Sequence, residues 1–296
     1  MDSLTTLPRR TWLERASLSL AGVLVFAGGA TLLGWWLHLD ELLVPFPSSP
    51  PMAPMKANSA LGFFVLGCVL LFVEFGRRRL TAFAFGPVLV GLITLVEDLT
   101  HRNFHIDEVL VRDHLLIGTV QPGRMSGMVA TCLVLAGLAL AWRAFDRAAA
   151  ARLFAEAVTG SILFAAGFST LLGYLAELPA VYNWGSETAT APASSICLLV
   201  LGLALILLAW RESIRAEGGP PSWAPMPAVI GCLTLTVILW VGLRDREHLV
   251  LSQRTQQSIT QLGLQISGSL DQQAVQIERF ARTRAACTLD CARRGW

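Results

Sequence analysis

Charge is scarce in this 296-residue sequence: Asp, Glu, Lys and Arg make up 15% of it, against 54% hydrophobic residues, and mean hydropathy is +0.56. A water-soluble globule needs a polar skin that this composition cannot supply, so lipid is the expected solvent for most of the chain. Lysine occurs once, at Lys56. With none in the last apolar run, a retinal Schiff base there is excluded. Enzyme signatures are missing too: no phosphate-cradling P-loop, no GxSxG elbow, no HExxH pair and no nucleotide-binding glycines of a kinase. His248, in DREHLVLSQ, lacks the surroundings of a phosphoaccepting histidine. The chain is therefore read as non-enzymatic and without a cofactor. Its net charge of +2 is not gathered into a patch, so no nucleic-acid partner is expected. Of six cysteines, Cys68, Cys132, Cys197 and Cys232 lie in apolar runs as small packing residues, and Cys287 and Cys291 lack zinc-knuckle spacing.

What is abundant is apolar runs of membrane-spanning length, about 17 to 25 residues. Seven occur, approximately Ala16–Leu37, Ala57–Phe75, Leu80–Leu99, Ser126–Trp142, Ala157–Leu175, Ala189–Trp210 and Trp223–Leu243. The expectation is an all-α polytopic membrane protein with about seven spans. The first run, continuing to a Trp35–Trp36 pair placed as an interfacial belt, is too long for a secretory h-region. Arg124 and Arg143 bracket the short fourth run and are expected to snorkel outwards. Gly86 and Pro87 suggest a kink in the third.

Arginines alternate between loops. Arg9, Arg10, Arg15, Arg77–Arg79, Arg143, Arg147, Arg152, Arg211 and Arg215 share one side, with Glu74 among them as an interfacial charge. The positive-inside rule makes that side cytoplasmic, with a cytoplasmic N-terminal tail over 1–15. Seven crossings place the segment from Arg244 outside.

Internal repetition organises the membrane region, 16–243. TLLGWWL at Thr31 parallels TLVEDL at Thr94 and TLLGYL at Thr170, and His38-Leu-Asp40-Glu41-Leu-Leu recurs as HIDEVL from His105. The second helices begin MKANSALGFFVLG, MSGMVATCLVLAG and TAPASSICLLVLG, bringing Gly67, Gly137 and Gly202 into register as helix-packing residues. Three helical hairpins of about 65 to 70 residues are expected, 16–79, 80–152 and 153–215, followed by a seventh helix over 223–243. The hairpins share one orientation, unlike the inverted repeats of many transporters.

MAPMKANSALGFFVLG, PGRMSGMVATCLVLAG, the HLDELL and HIDEVL segments and TLLGYL together resemble the multi-pass (MASE-like) sensor region of bacterial signalling proteins. The resemblance covers roughly residues 16–210, and departs from the pattern where the third copy has TAPASS. It implies an inner-membrane sensory module preceding CHASE, PAS, histidine-kinase or GGDEF domains. From 244 to 296 an apolar stripe through Thr255, Ile259, Leu262, Ile266, Leu270, Ala274 and Ile277 describes an amphipathic helix. It resembles the first extracytoplasmic helix of a CHASE-type domain, and the expectation is a parent gene truncated or frameshifted after Trp296. That stripe offers a homodimer contact. Membrane lipid is the other expected partner.

Chemistry-bearing residues cluster in one place. Glu97, Asp98 and His101, with His105 and Asp107, form a candidate proton-sensing, ligand or metal-binding group near the end of the third span, where ionisable groups are costly unless paired or functional. The spacing matches no specific metal motif, and water-facing surface charges are the competing explanation. His38, Asp40 and Glu41 repeat, which a duplicated turn explains as well as a site does. The preferred reading is a sensory input module. The rival is a small transporter or channel with its pathway between hairpins and Glu97 and Asp98 as ion-binding groups.

Overall fold

The computed structural model describes residues 12–44, 52–115, 117, 121–145, 149–183, 188–217 and 224–241, with single positions 243, 244, 247, 259, 261 and 265. It divides into two units, 1–243 and 244–296. Apart from those single positions, the second unit lies outside the described residues. The amphipathic stripe, its proposed self-association, Cys287 and Cys291 fall there.

The long elements described in the first unit are helices. In order run α1 (Trp12–Leu37), the one-turn α2 (Asp40–Leu43), α3 (Ala57–Glu74), a 3-10 helix (Arg78–Ala84) leading into α4 (Phe85–Thr100), α5 (Gly127–Ala141) with a 3-10 extension (Trp142–Phe145), α6 (Ala149–Leu175), α7 (Pro179–Asn183) and α8 (Pro192–Glu217). An apolar α9 follows at Met226–Val241. Six of these helical segments, α1, α3, 3-10/α4, α5/3-10, α6 and α8, are long and apolar enough to cross a membrane. The protein is thus a polytopic membrane protein, with six such helices among the described residues. At 1.5 Å per residue α9 is about 24 Å long, short of a hydrocarbon core near 30 Å, so the expected seventh span is a shorter helix in its described part.

The most extensive helix contacts are α1 with α3, α4 with α5 and α6 with α8, and α1 packs back against α8 to draw the pairs into one bundle. Each pair crosses where glycines remove the side chains between backbones. A Cβ on Gly28 would lie 2.6 Å from the Ala60 carbonyl oxygen, on Gly91 2.8 Å from that of Ala130, and on Gly167 2.5 Å from that of Ser195. Those contacts fall seven residues before Gly67, Gly137 and Gly202, which press back on Leu24, Ala84 and Gly160. The three hairpins share a crossing register.

Each first helix carries a threonine three residues after its crossing glycine, Thr31, Thr94 and Thr170, and three residues later come Gly34, Glu97 and Gly173. His38, His101 and Glu177, seven residues after those threonines, adopt left-handed backbone at φ 55°, 51° and 53°. Two of these ends close as Schellman turns, with Leu39 N donating to Gly34 O at 2.9 Å and Leu178 N to Gly173 O at 2.8 Å. This register pairs His38 with His101. The HLDELL and HIDEVL segments adopt different conformations: one forms α2, the other an irregular loop.

Three local expectations change. Gly86 and Pro87 sit in the first turn of α4, where proline fits, and the departure from α-helical geometry is the 3-10 segment before them. Trp35 is buried with Nε1 donating to Met55 O at 2.8 Å, leaving Trp36 as the exposed member of that pair. Arg143 does not snorkel; its guanidinium is buried between Glu156, at 2.5 Å, and Glu212, at 2.7 Å.

Gly137→Ala should lower stability by about 1 to 3 kcal/mol, because its Cβ would stand 2.5 Å from Val88 Cγ2. Gly22→Ala, with open space at its Cβ, should be neutral or stabilising. Thermal unfolding in detergent compares the two.

Candidate functional site

The bundle has an arginine end and a loop end. At the arginine end, charges are matched. Arg143 and Arg152 bracket Glu156 and Glu212, while Arg211 grips both oxygens of Glu74, at 2.8 and 2.7 Å, and Ser17 donates to the same carboxylate at 2.7 Å. Glu74 is therefore a buried bridge among α1, α3 and α8 rather than an interfacial charge. Arg215 pairs with Glu14.

The loop end is where the predicted acidic residues meet. The buried stripe of α4 runs through Pro87, Val88, Gly91, Thr94 and Glu97, so Glu97 emerges on the bundle-facing side one turn before the helix ends. In the first and third hairpins the glycine at that position lets a short helix pack down. A Cβ on Gly34 would stand 3.1 Å from Leu43 of α2, and one on Gly173 2.8 Å from Val181 of α7. The central hairpin has a carboxylate there instead. Its Oε1 accepts from Phe104 N at 2.6 Å, tethering the loop that follows.

Arg124, three residues before α5, is the hub. Its Nε donates to Asp107 Oδ2 at 3.0 Å, Nη1 reaches Asp98 Oδ1 at 3.4 Å, and Nη2 lies 3.6 Å from Glu97 Oε2. Glu97 is 0% exposed and Asp107 2% exposed. Gly123 makes the approach possible. Its φ of 71° turns the chain, and a Cβ there would lie 2.6 Å from Asp107 O. From α3, Asn58 Nδ2 reaches the carbonyls of Ile106 and Asp107, each at 3.4 Å.

A second ion pair secures the same loop. Lys56 Nζ meets Asp113 Oδ2 at 2.5 Å, both buried, and Asp113 also accepts from Gly123 N at 3.0 Å and Leu115 N at 3.2 Å. The third hairpin joins through Thr190, whose hydroxyl donates to Ser126 Oγ at 2.8 Å and whose carbonyl accepts from Tyr174 Oη at 2.8 Å.

Outside the spans the titration follows from this geometry. Burial pushes the Asp107 carboxyl above the usual carboxylate range, with Arg124 pulling the other way. For Arg124, burial opposes the charge, but Asp107, Glu97 and Asp98 together raise the guanidinium above its ordinary value.

Of the five sequence candidates, Glu97, Asp98 and Asp107 converge and the histidines do not. His101 occupies the exposed left-handed cap of α4, and His105 is exposed beside Asn103 Oδ1. No group of three metal-ligating side chains occurs among the described residues. His38 and Asp40 meet His114 instead, His38 as a ring neighbour at 4.8 Å and Asp40 Oδ1 at 2.9 Å from Nε2; Glu41 is exposed. Arg124, Lys56, Asn58 and Asp113 escaped the sequence reading. A signal existed for the first: aligned on the second-helix glycines, Arg124 stands where the other copies have Pro54 and Ala189, as Glu97 stands against Gly34 and Gly173.

Arg124→Gln should cost about 3 to 5 kcal/mol, since it leaves buried carboxylates without their cation, and Asp107→Asn added to it should recover part of the loss. Chemical denaturation of the detergent-solubilised protein measures both. A raised Asp107 value means that its contribution to stability is complete in acid and lost as pH rises through that value. The fall in melting temperature on that rise should be smaller in Asp107→Asn.

No protein-family model, curated protein or solved structure matches this chain, and the resemblance to multi-pass sensor regions rests on the motifs quoted above.

Proposed function

We propose that the chain is the membrane-embedded sensory input module of a bacterial signal-transduction protein of histidine-kinase or diguanylate-cyclase type, set in the inner membrane with its arginine end cytoplasmic. One observation carries the reading: α5 joins two buried charge clusters at opposite ends of the bundle. Arg124, just before it, holds Glu97, Asp98 and Asp107; Arg143, just after it, holds Glu156 and Glu212. The 15 residues of α5 span about 22 Å at 1.5 Å per residue. An α-helix is stiff along its axis, so a rearrangement around Arg124 that moves α5 is felt at Arg143. That is the property an input module needs. The kinase or cyclase output rests on the family resemblance alone.

Transport demands polar groups along a path. Among the described residues, the buried charged groups lie at the two ends, and between them the buried polar side chains are neutral hydroxyls, of which Ser161, Ser169 and Thr170 donate to carbonyls of their own helix and Ser195 to that of Ala191, just before α8.

Spin labels at the exposed positions Arg79 and Ala150, in full-length protein in nanodiscs, should report a changed distance distribution at the arginine end when Arg124→Gln is introduced. An unchanged distribution, with Glu97-dependent ion flux into liposomes, would decide for transport. Reporter fusions at Arg78, Arg147 and Arg215 should read as cytoplasmic, and those at Pro51, Asp113 and Trp184 as external.

A further inference from the structure

Two buried carboxyl oxygens at the loop end, both in groups beside Arg124, have no hydrogen-bond partner. Glu97 Oε2 and Asp107 Oδ1 are both closed to solvent and neither receives a hydrogen bond, and Arg124 Nη2, 3.6 Å from Glu97 Oε2, is likewise without a partner. Ionised carboxylates only accept, so two of them buried around one guanidinium repel each other and cannot satisfy each other's oxygens. The charge balance has the same defect. Two fully buried acids, Glu97 and Asp107, share one Arg124, whose best hydrogen bond goes to Asp107 and whose Nη2 remains 3.6 Å from Glu97.

One proton corrects both faults. Bound to either oxygen, it becomes the missing donor and removes one of the surplus negative charges. A metal ion would do neither well: Arg124 already occupies this closed space as a cation, and no metal-ligating group of three is present among the described residues.

We propose that Glu97 and Asp107 form a dyad that binds and shares a single proton, making the proton itself the ligand of this site. The proposal deepens the sensory reading and rests on it for its consequence, but the dyad stands on geometry of its own. The central hairpin alone has a carboxylate where its counterparts have Gly34 and Gly173, so this position departs from the packing role that the shared register gives it. Burial raising the Asp107 carboxyl acts in the same direction.

The surrounding groups define what deprotonation does. Arg124 attracts both members, Asp98 on α4 and Glu108 in the loop add negative charge, and from α3 the neutral Asn58 holds the Asp107 carbonyl while Lys56 is committed to Asp113. Loss of the shared proton therefore sets two buried carboxylates against each other with only Arg124 between them. The strain falls on two anchors: the Phe104 to Glu97 hydrogen bond and the Arg124 to Asp107 pair. Release of either frees the loop from α4 and unloads the N-terminal end of α5. Asp98, whose side chain is 29% exposed, is the solvent-facing acid of the Arg124 group.

The test is infrared difference spectroscopy of the full chain in liposomes, titrated from acid to alkaline pH, with the Arg79 and Ala150 spin-label distance followed in parallel. Wild type should show the C=O stretch of a protonated carboxyl group that persists above the usual carboxylate range and disappears on alkalinisation. Glu97→Gln and Asp107→Asn should each abolish that band, the amide supplying the missing donor permanently and holding the label distance at its low-pH value. Glu97→Ala should abolish the band without holding that distance. No titrating carboxyl band in wild type, or a band that survives both amide variants, overturns the dyad. If the dyad fails while Arg124→Gln still shifts the label distance, the sensory reading stands. A dyad-dependent band with a label distance indifferent to both pH and Arg124→Gln supports the proton site and removes the sensory reading.

Discussion

Helices in lipid gain little by hiding apolar side chains from one another, because acyl chains are as apolar as leucine; they associate through close packing and polar contacts. The bundle depends on that constraint. At each hairpin crossing two backbones approach until a single Cβ would strike a carbonyl oxygen, and Gly28, Gly67, Gly91, Gly137, Gly167 and Gly202 are what permit it. The crossing fixes the axial register of the helix pair. The register in turn decides which loop residues meet at the ends, so that Lys56 reaches Asp113 and Asn58 reaches the Asp107 carbonyl across the first and second hairpins.

Once the helices are aligned, the cost of burying charge organises the rest. At the arginine end Arg143, Arg152 and Arg211 are met by Glu156, Glu212 and Glu74, a balanced set spread over several helices. Such a layer is costly to break, because removing any member strands a charge away from water. The loop end is unbalanced, with more carboxylate than guanidinium around Arg124.

Hydropathy and length were sufficient for the all-α polytopic class, since a run of about 20 apolar residues has few alternatives to crossing a membrane. The seventh run contains an apolar helix, Met226–Val241, in its described part. Glu97, Asp98 and Asp107 were legible as costly charges near a span end. Their organiser was not. Arg124 lies 27 positions after Glu97 in the chain, and its approach depends on the left-handed Gly123 and a loop path that no periodicity encodes. His101 and His105 were drawn in by proximity in sequence, whereas the cap of α4 turns the chain and leaves both exposed.

The same division runs through the whole chain. Sequence by itself determined what the medium must be, that long apolar helices fill it, and where small residues recur, because these follow from composition and spacing. Tertiary structure decided which charges are paired. Arg143 and Glu74 are buried members of ion pairs rather than interfacial charges, Trp35 is a hydrogen-bonded core residue rather than a belt anchor, and Glu97 faces Asp107 across Arg124. Partnership between charges depends on approach over a few ångströms between residues distant in the chain, and that approach is set by the glycine crossings rather than by any local pattern.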